Sequence, residues 1–301
     1  MSARERRTFP LVPRRRLTGL PFGDLPSRRR GHGTEVIGSR PYEPGDPVST
    51  IDWFASARLS SASGGDEFIV RDRAADEAPR VTILLDRRPA MGLYPPPFPW
   101  LSKREALREA AISIAASAAV ARADIAALDY GTGEPWWLPP GRRDRPWIVA
   151  ARAAEAPFEA PEDNVVQALT YLAQRRTDVP GGTFLFVISD FLEPVPPDAW
   201  LDAVGHGWDV VPVVIQDPVW ERSWPEVAGV GLPVADAGLV RLGRRQAARL
   251  RSEHEARYAG LLAELQSVGL RPVELDSSEP YIVDEAFLAW AEERRRGRWA
   301  R

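Results

Sequence analysis

V-T-I-L-L-D, residues Val81 to Asp86, is an unbroken apolar run that closes on an acid. A run of this kind, without alternation, predicts a strand covered on both faces. A second and a third buried strand lie further along: T-F-L-F-V-I-S (Thr183 to Ser189), with Asp190 directly after it, and W-D-V-V-P-V-V-I (Trp208 to Ile215). Between them the pattern predicts a helix over Leu101–Arg122, with Ser102 as N-cap and Glu105 three residues on. It also predicts two strands around Gly131-Thr132-Gly133 (Asp124–Tyr130 and Trp136–Leu138), and helices over Arg145–Ala156 and Asp163–Arg176. Strand–helix alternation implies an α/β domain over residues 79–216, a mainly parallel sheet with helices on both faces.

Residues 217–301 are expected to extend and complete that domain. Asp217–Leu242 reads as a loop or hairpin, and Arg244–Val268 as an amphipathic helix carrying Leu250, His254, Leu261, Leu265 and Val268 on one face. Gly269 stops that helix, Leu270–Leu275 is a last strand and Ile282–Arg296 a last helix. On the other side lies a small irregular module, residues 31–78, with Phe68-Ile69-Val70 as a strand. Ahead of it, residues 1–30 hold nine arginines against Glu5 and Asp24. Pro10, Pro13, Pro21 and Pro26 deny this arm a continuous helix. The expectation is a solvated arm, ordered only where Leu17, Leu20 and Phe22 reach the core. The other reading is contact with an anionic partner or a membrane surface through the arginines.

Composition closes off several classes of function. The chain has 301 residues, 44% of them hydrophobic, which suffices for a real core, and a net charge of −3, against a protein devoted to nucleic acid. It has no cysteine, which removes disulfides, thiolate metal sites and thiol nucleophiles. The longest run of small and apolar residues, Ala110–Ala121, is fenced by Arg108 and Arg122 and falls short of the roughly 18 needed to span a bilayer. The N-terminus has no hydrophobic stretch of the signal-peptide kind, so the expected compartment is the cytoplasm. The three histidines share no ligand spacing, and His254 reads as a satisfied core residue. Ser189 lacks the glycines of a nucleophile elbow. Gly31-His32-Gly33 precedes no strand–helix unit that would make a phosphate loop. No catalytic constellation emerges.

Asp86 and Asp190 end neighbouring strands, where an open parallel sheet binds ligands. This order of strand, Asp, helix and V-I-S-D is similar to the von Willebrand factor A fold and its metal-ion-dependent adhesion site. The block G-x-G-x-E-x-x-x-x-R-x-Y-x-P-G-D-x-x-x-x-I-D-W-x-x-x-A-R, from Gly31 to Arg58, resembles the signature of the family called domain of unknown function 58, and D-P-V-W-E (Asp217 to Glu221) agrees with it. The resemblance implies action with a MoxR-type AAA+ ATPase in the assembly or maturation of complexes. ATP hydrolysis would then belong to the partner.

The adhesion-site pattern places Asp, Ser, Ser at alternating positions, which here are Asp86, Arg88 and Ala90. The usual Gly-Gly-Thr of the second loop aligns with Pro161-Glu162-Asp163, so Asp163 takes the threonine position. A fixed cation among the ligands repels magnesium, so no metal or other cofactor is expected. Arg88 is expected to replace the ion by pairing with Asp86, Asp190 or Asp163. The plainer alternative has Arg88 in solvent and the aspartates capping turns. In the signature, Pro44-Gly45 makes a tight turn and Asp46 caps the next element. Asp52 is expected to hold Arg58 or Arg40, with Trp53 as a packing anchor. The functional version makes this Arg40, Tyr42, Pro44, Gly45, Asp46, Asp52, Trp53 and Arg58 platform the docking surface for the ATPase. Trp100, Trp136, Trp137, Trp220 and Trp224 are read as interface anchors or as roofs over the sheet ends. The expected function is a non-catalytic adaptor or scaffold for the ATPase and client proteins. The alternative is a divalent-metal-dependent ligand-binding protein or hydrolase using Asp86, Asp163 and Asp190.

Overall fold

The computed structural model describes residues 7–14, 20–30, 36–64, 67–93, 101–226, 231–234 and 238–299. The N-terminal module is a three-stranded antiparallel sheet of order β1-β3-β2, made by β1 (Leu20–Arg30), β2 (Val36–Pro41) and β3 (Ile69–Ala78). A 3-10 turn (Val48–Thr50) and helix α1 (Trp53–Ser63) fill the connection from β2 to β3. This helix was not anticipated, because its apolar residues show no core-facing period. Its ends were nonetheless signalled: Asp52 caps the first turn, and Gly64 closes the helix at φ +73°, in the left-handed region open to glycine.

A single residue, Pro79, separates β3 from β4 (Arg80–Leu85), the central strand of the main sheet. After it come α2 (Pro89–Gly92), α3 (Lys103–Val120), β5 (Asp124–Asp129), β6 (Trp136–Gly141), α4 (Arg145–Glu155), α5 (Asn164–Ala173) and β7 (Phe184–Ser189). The chain continues through α6 (Pro197–Gly205), β8 (Asp209–Ile215), the hairpin β9 (Gly231–Val234) and β10 (Gly238–Arg241), α7 (Arg244–Ser267), β11 (Val273–Leu275) and α8 (Pro280–Trp299). The sheet order is β11-β8-β7-β4-β5-β6, parallel except for β6. Chain order therefore runs outward from β4 through β5 to β6, then returns across β4 to β7. That reversal is the topological switch point, where α/β sheets open a crevice at the carboxyl ends of their strands. The expected α/β fold, with helices on both faces, is the observed one. The C-terminal residues do complete it, since β11 pairs with β8.

Every residue of β7 and β8 is buried, including Asp209 at the start of β8. One face is covered by α3, α4 and α8, with Ile114, Val149 and Phe287 fully buried there. Residues of α5, α6 and α7 cover the other, Leu172, Trp200 and Leu265 among them.

The expectation of a solvated arm is corrected over residues 7–14. Phe9, Leu11 and Val12 are buried in the first core. The Phe9 ring stacks on Phe287 at 4.7 Å and meets Trp290 edge-on at 5.9 Å. Its N–H donates to Ser117 Oγ at 3.0 Å, and Arg14 N–H donates to Asp209 Oδ2 at 2.8 Å. Arg294 of α8 donates to both Asp209 oxygens at 2.9 Å and to the Val12 carbonyl at 3.1 Å. The segment is thus a strap that seals α3 against α8. The proposed anchors Leu20 and Phe22 lie in β1, where only the backbone is described, and Leu17 lies outside the described residues. Among the described residues no helix is long and apolar enough to cross a membrane.

Candidate functional site at the strand tips

Asp86 and Asp190 follow β4 and β7 on either side of the switch point, and both are fully buried. Two isolated carboxylates there would cost several kcal/mol each in lost hydration. Arg88 lies between them. Its Nε donates to Asp86 Oδ2 at 2.9 Å, and its Nη2 donates at 2.6 Å to both Asp86 Oδ2 and Asp190 Oδ1. Asp86 is then completed by the Arg88 N–H at 2.9 Å, Ser189 Oγ at 2.7 Å and Asn164 Nδ2 at 3.0 Å. The structure thus brings together Asp86, Arg88 and Asp190, and leaves Asp163 out. Asp163 is exposed and accepts from Gln167 Nε2, whereas the side chain reaching Asp86 is Asn164, one residue later. Ala90 lies half-buried in α2 and has no polar side-chain atom to offer.

The cluster extends further than the sequence suggested. Lys103, the first residue of α3, donates to Asp190 Oδ2 at 2.8 Å and pairs with Glu221 at 2.5 Å. Glu221 also accepts from Asp217 N–H at 2.8 Å, while Asp217 Oδ1 caps Val219 and Trp220. The D-P-V-W-E segment is therefore a self-capped turn that delivers one carboxylate to the site. Gln216 Nε2 donates to the Asp190 carbonyl at 2.6 Å. The result is a chain of alternating charge: Asp86, Arg88, Asp190, Lys103, Glu221.

Burial pushes the Asp190 carboxyl up, but Lys103 and Arg88 outweigh it and hold the group below its ordinary value. Burial likewise works against the charge on Arg88 and Lys103, and their carboxylate neighbours reverse it, leaving both raised. Glu221 behaves differently. Burial drives it up, Lys103 and the Asp217 N–H offset only part of that, and the nearby Asp190 charge adds a little to the rise. Between the ordinary carboxylate value and this raised one, the native state keeps a proton that the unfolded chain has released. The Glu221 contribution to stability is therefore present at low pH and lost as pH rises through that window. Glu221→Gln is expected to gain on the parent in urea denaturation as pH goes from about 5 to about 7.5. A difference that stays flat with pH would contradict this account.

The resemblance to an adhesion-site fold implies a divalent cation at this crevice, and the donor set does not fit one. A hard cation needs several oxygens at open positions. Here the guanidinium occupies the space between the two aspartates, alanine stands at the third loop position, and Asn164 turns its amide nitrogen toward Asp86. Beside this cluster, Asp129 at the end of β5 takes Arg152 at 2.8 and 2.5 Å and the wholly buried Arg87 at 3.5 Å. Burial pulls Arg87 down to about 10 despite Asp129, and its Nη2 donates to the Arg152 carbonyl at 2.7 Å. Arg87 was not singled out from sequence, although an Arg-Arg pair directly after a buried strand is a visible signal.

The signature platform differs from expectation in its pairings. Arg40 forks onto Asp46 at 2.7 and 2.6 Å, and Asp46 accepts Glu43 N–H at 2.9 Å across the Pro44-Gly45 turn. Arg40 and that backbone bond bring the Asp46 carboxyl down to about 2. Asp46 therefore closes its own turn rather than capping the next element. Asp52 holds neither Arg58 nor Arg40. It caps α1 through Ala55 N–H at 3.2 Å and binds Arg71 at 2.8 Å, which keeps its carboxyl below the ordinary value. Arg58 is exposed on α1. Trp53 is no buried anchor: it is 59% exposed and touches Phe68 edge-on, as Tyr42 does. Phe54 beside it is 82% exposed. The buried Ser56 hydroxyl donates to the Asp52 carbonyl and accepts from Ile69 N–H, fastening α1 to β3.

Trp136, Trp137, Trp220 and Trp224 are half-buried, and Trp100, like Gly31, His32 and Gly33, lies outside the described residues. His254 sits half-buried with Nδ1 within 3.0 and 3.1 Å of the Trp220 and Ser223 carbonyls.

Two solved structures from Bacteroides are similar at low identity. A conserved hypothetical protein BatB from Bacteroides thetaiotaomicron is 14% identical, covers 71% of this chain and 99% of its own, and has a TM-score of 0.38. An aerotolerance-related membrane protein from Bacteroides fragilis is 14% identical, covers 69% and 98%, and has a TM-score of 0.41. Uncharacterized proteins of Mycobacterium bovis and Mycobacterium tuberculosis are 27% identical over 246 residues, 78% of this chain and 71% of theirs. The family model described as protein of unknown function DUF58 matches residues 38–261, from the platform through the strand-tip cluster to α7, and the chain belongs to that family.

Proposed function

We propose that this protein is a non-catalytic, protein-binding adaptor that acts in the cytoplasm with a MoxR-type AAA+ ATPase in the assembly or maturation of protein complexes. The observation that carries this reading is the filled crevice. Where an open α/β sheet takes its ligand, this chain places the Arg88 guanidinium across two buried aspartates. That arrangement gives a metal no open coordination position between Asp86 and Asp190 and leaves neither carboxylate unpaired to act as a base, so binding chemistry falls to the exterior. The surface offered there is the platform, where Val48, Trp53 and Phe54 are 63%, 59% and 82% exposed. Its polar residues are engaged in holding it rigid, through Arg40 with Asp46 and Asp52 with Arg71. Exposed aromatics on a stiff support have the character of interface hot spots. The identity of the partner follows from the resemblance of the Gly31–Arg58 signature.

The test is co-expression with the MoxR-type ATPase and size exclusion with and without ATP and magnesium. The pair is expected to co-elute, and a Trp53→Ala, Phe54→Ala double variant is expected to weaken the complex by at least about tenfold. Because both side chains are exposed, the variant should keep the parent's melting temperature. Clean separation of the parent chain and ATPase under every nucleotide condition would sink the proposal.

A further inference from the structure

The end of the main sheet opposite the strand tips carries a feature that the adaptor reading does not use. There α3 finishes, ahead of β5, and α4 begins, after the turn that follows β6. Trp147, in the first turn of α4, is 80% exposed, and Val120, the last residue of α3, is 67% exposed. An indole that open, with no aromatic partner among the described residues, is the largest apolar side chain left in water on this domain. The turn after α3 carries Arg122 and the turn before α4 carries Arg142 and Arg143, with Asp124 and Asp144 as the acids of the same two segments; Arg145, at the start of α4, is half-buried. The Arg143 side chain is 96% exposed and lies 3.9 Å from a 72% exposed Asp144, a pairing too solvated to neutralise it. Arg142 is 47% exposed while donating to Asp124 at 2.8 Å. Arg122 and Asp144, in the two tight turns at this corner, hold positive φ of 53° and 61°, and both are exposed.

We propose that this corner is a contact surface for an anionic lipid bilayer. Two properties favour a bilayer over other polyanions. The most exposed groups here are an indole at 80% and a valine at 67%, apolar surface for which a nucleic-acid backbone or an acidic peptide has no use. Its apolar and cationic groups are also adjacent, so an indole and a valine enter the headgroup boundary while the guanidiniums meet lipid phosphates. Tryptophan is the side chain that favours this interface, and each arginine near an anionic surface adds to the attraction until salt screens it. The proposal is independent of the adaptor reading, and distinct from attachment through the N-terminal arginines.

Sedimentation of the full chain with vesicles of phosphatidylglycerol in phosphatidylcholine tests it, with pure phosphatidylcholine vesicles as the control. Binding is expected with the anionic vesicles only, and it should fall steeply as salt is added. Arg143→Glu is expected to weaken it by about tenfold or more, and Trp147→Ser by a comparable factor. Both residues lie at the surface, so unchanged melting temperatures will show that the variants fold. Equal binding to neutral vesicles would overturn the proposal. So would binding that ignores both substitutions but disappears on removing residues 1–6, which would assign the contact to the arm. Absence of vesicle binding, with retention on heparin or DNA that the variants lose, would also overturn it and identify a different polyanion.

Discussion

Arg88→Ser is expected to destabilise the fold by about 3–5 kcal/mol, the usual cost of removing one member of a buried ion pair. The size follows from the groups left behind. Asp86 and Asp190 are fully buried, and Arg88 is the group that serves both, at 2.6 Å from each. Lys103 still reaches Asp190, but Asp86 keeps only the neutral donors Ser189 and Asn164 and one backbone N–H. Arg88→Lys should fall between parent and serine variant, since it restores charge without the planar fork that spans the two carboxylates. The serine variant also makes a qualitative prediction. With the guanidinium gone, the crevice becomes a cluster of oxygens suited to a hard cation. Manganese at about ten times its dissociation constant should then return about 1.4 kcal/mol to the variant and nothing to the parent. Urea denaturation with and without the ion measures both effects. A loss below about 1 kcal/mol would mean that the guanidinium is not what neutralises the aspartates.

Phe9→Ala is expected to cost about 3–5 kcal/mol, as for other large aromatics removed from a packed core. The ring is 3% exposed and contacts Phe186, Phe287 and Trp290, so its deletion opens a cavity at the junction of sheet, α8 and strap. Arg7→Ala two residues earlier serves as the control. Its side chain is 71% exposed and its ion pair spans 3.8 Å, so the change should stay within about 0.5 kcal/mol. A small effect at Phe9 would mean that the segment lies on the surface and that the core closes without it.

The contrast between those two sites shows what a sequence reveals. The strands of the main sheet were legible because burial on both faces leaves an unbroken apolar run, and acids at two run ends then located the crevice. Arg88 followed from its place between them. Asp163 and Asn164 could not be told apart, because one residue of shift at a helix start turns a different side chain inward. Lys103 and Glu221 were missed as a pair since nothing local links the start of α3 to the turn after β8. The strap was misread for a related reason. Phe9, Leu11 and Val12 are too few, and too mixed with proline and arginine, to show any period, although three apolar side chains suffice to seal a seam. In the platform Arg40 and Arg58 lie nearer to Asp52 in sequence, but the partner is Arg71, nineteen residues away on the adjoining strand β3.

Pro79 alone joins the middle strand of the small sheet to the central strand of the large one. Here there is no slack. Torque applied to the platform would travel along β3, pass through one proline and arrive in β4, the strand that ends at Asp86. A pull on the small sheet would have one residue, Pro79, in which to be lost before it reached the main one.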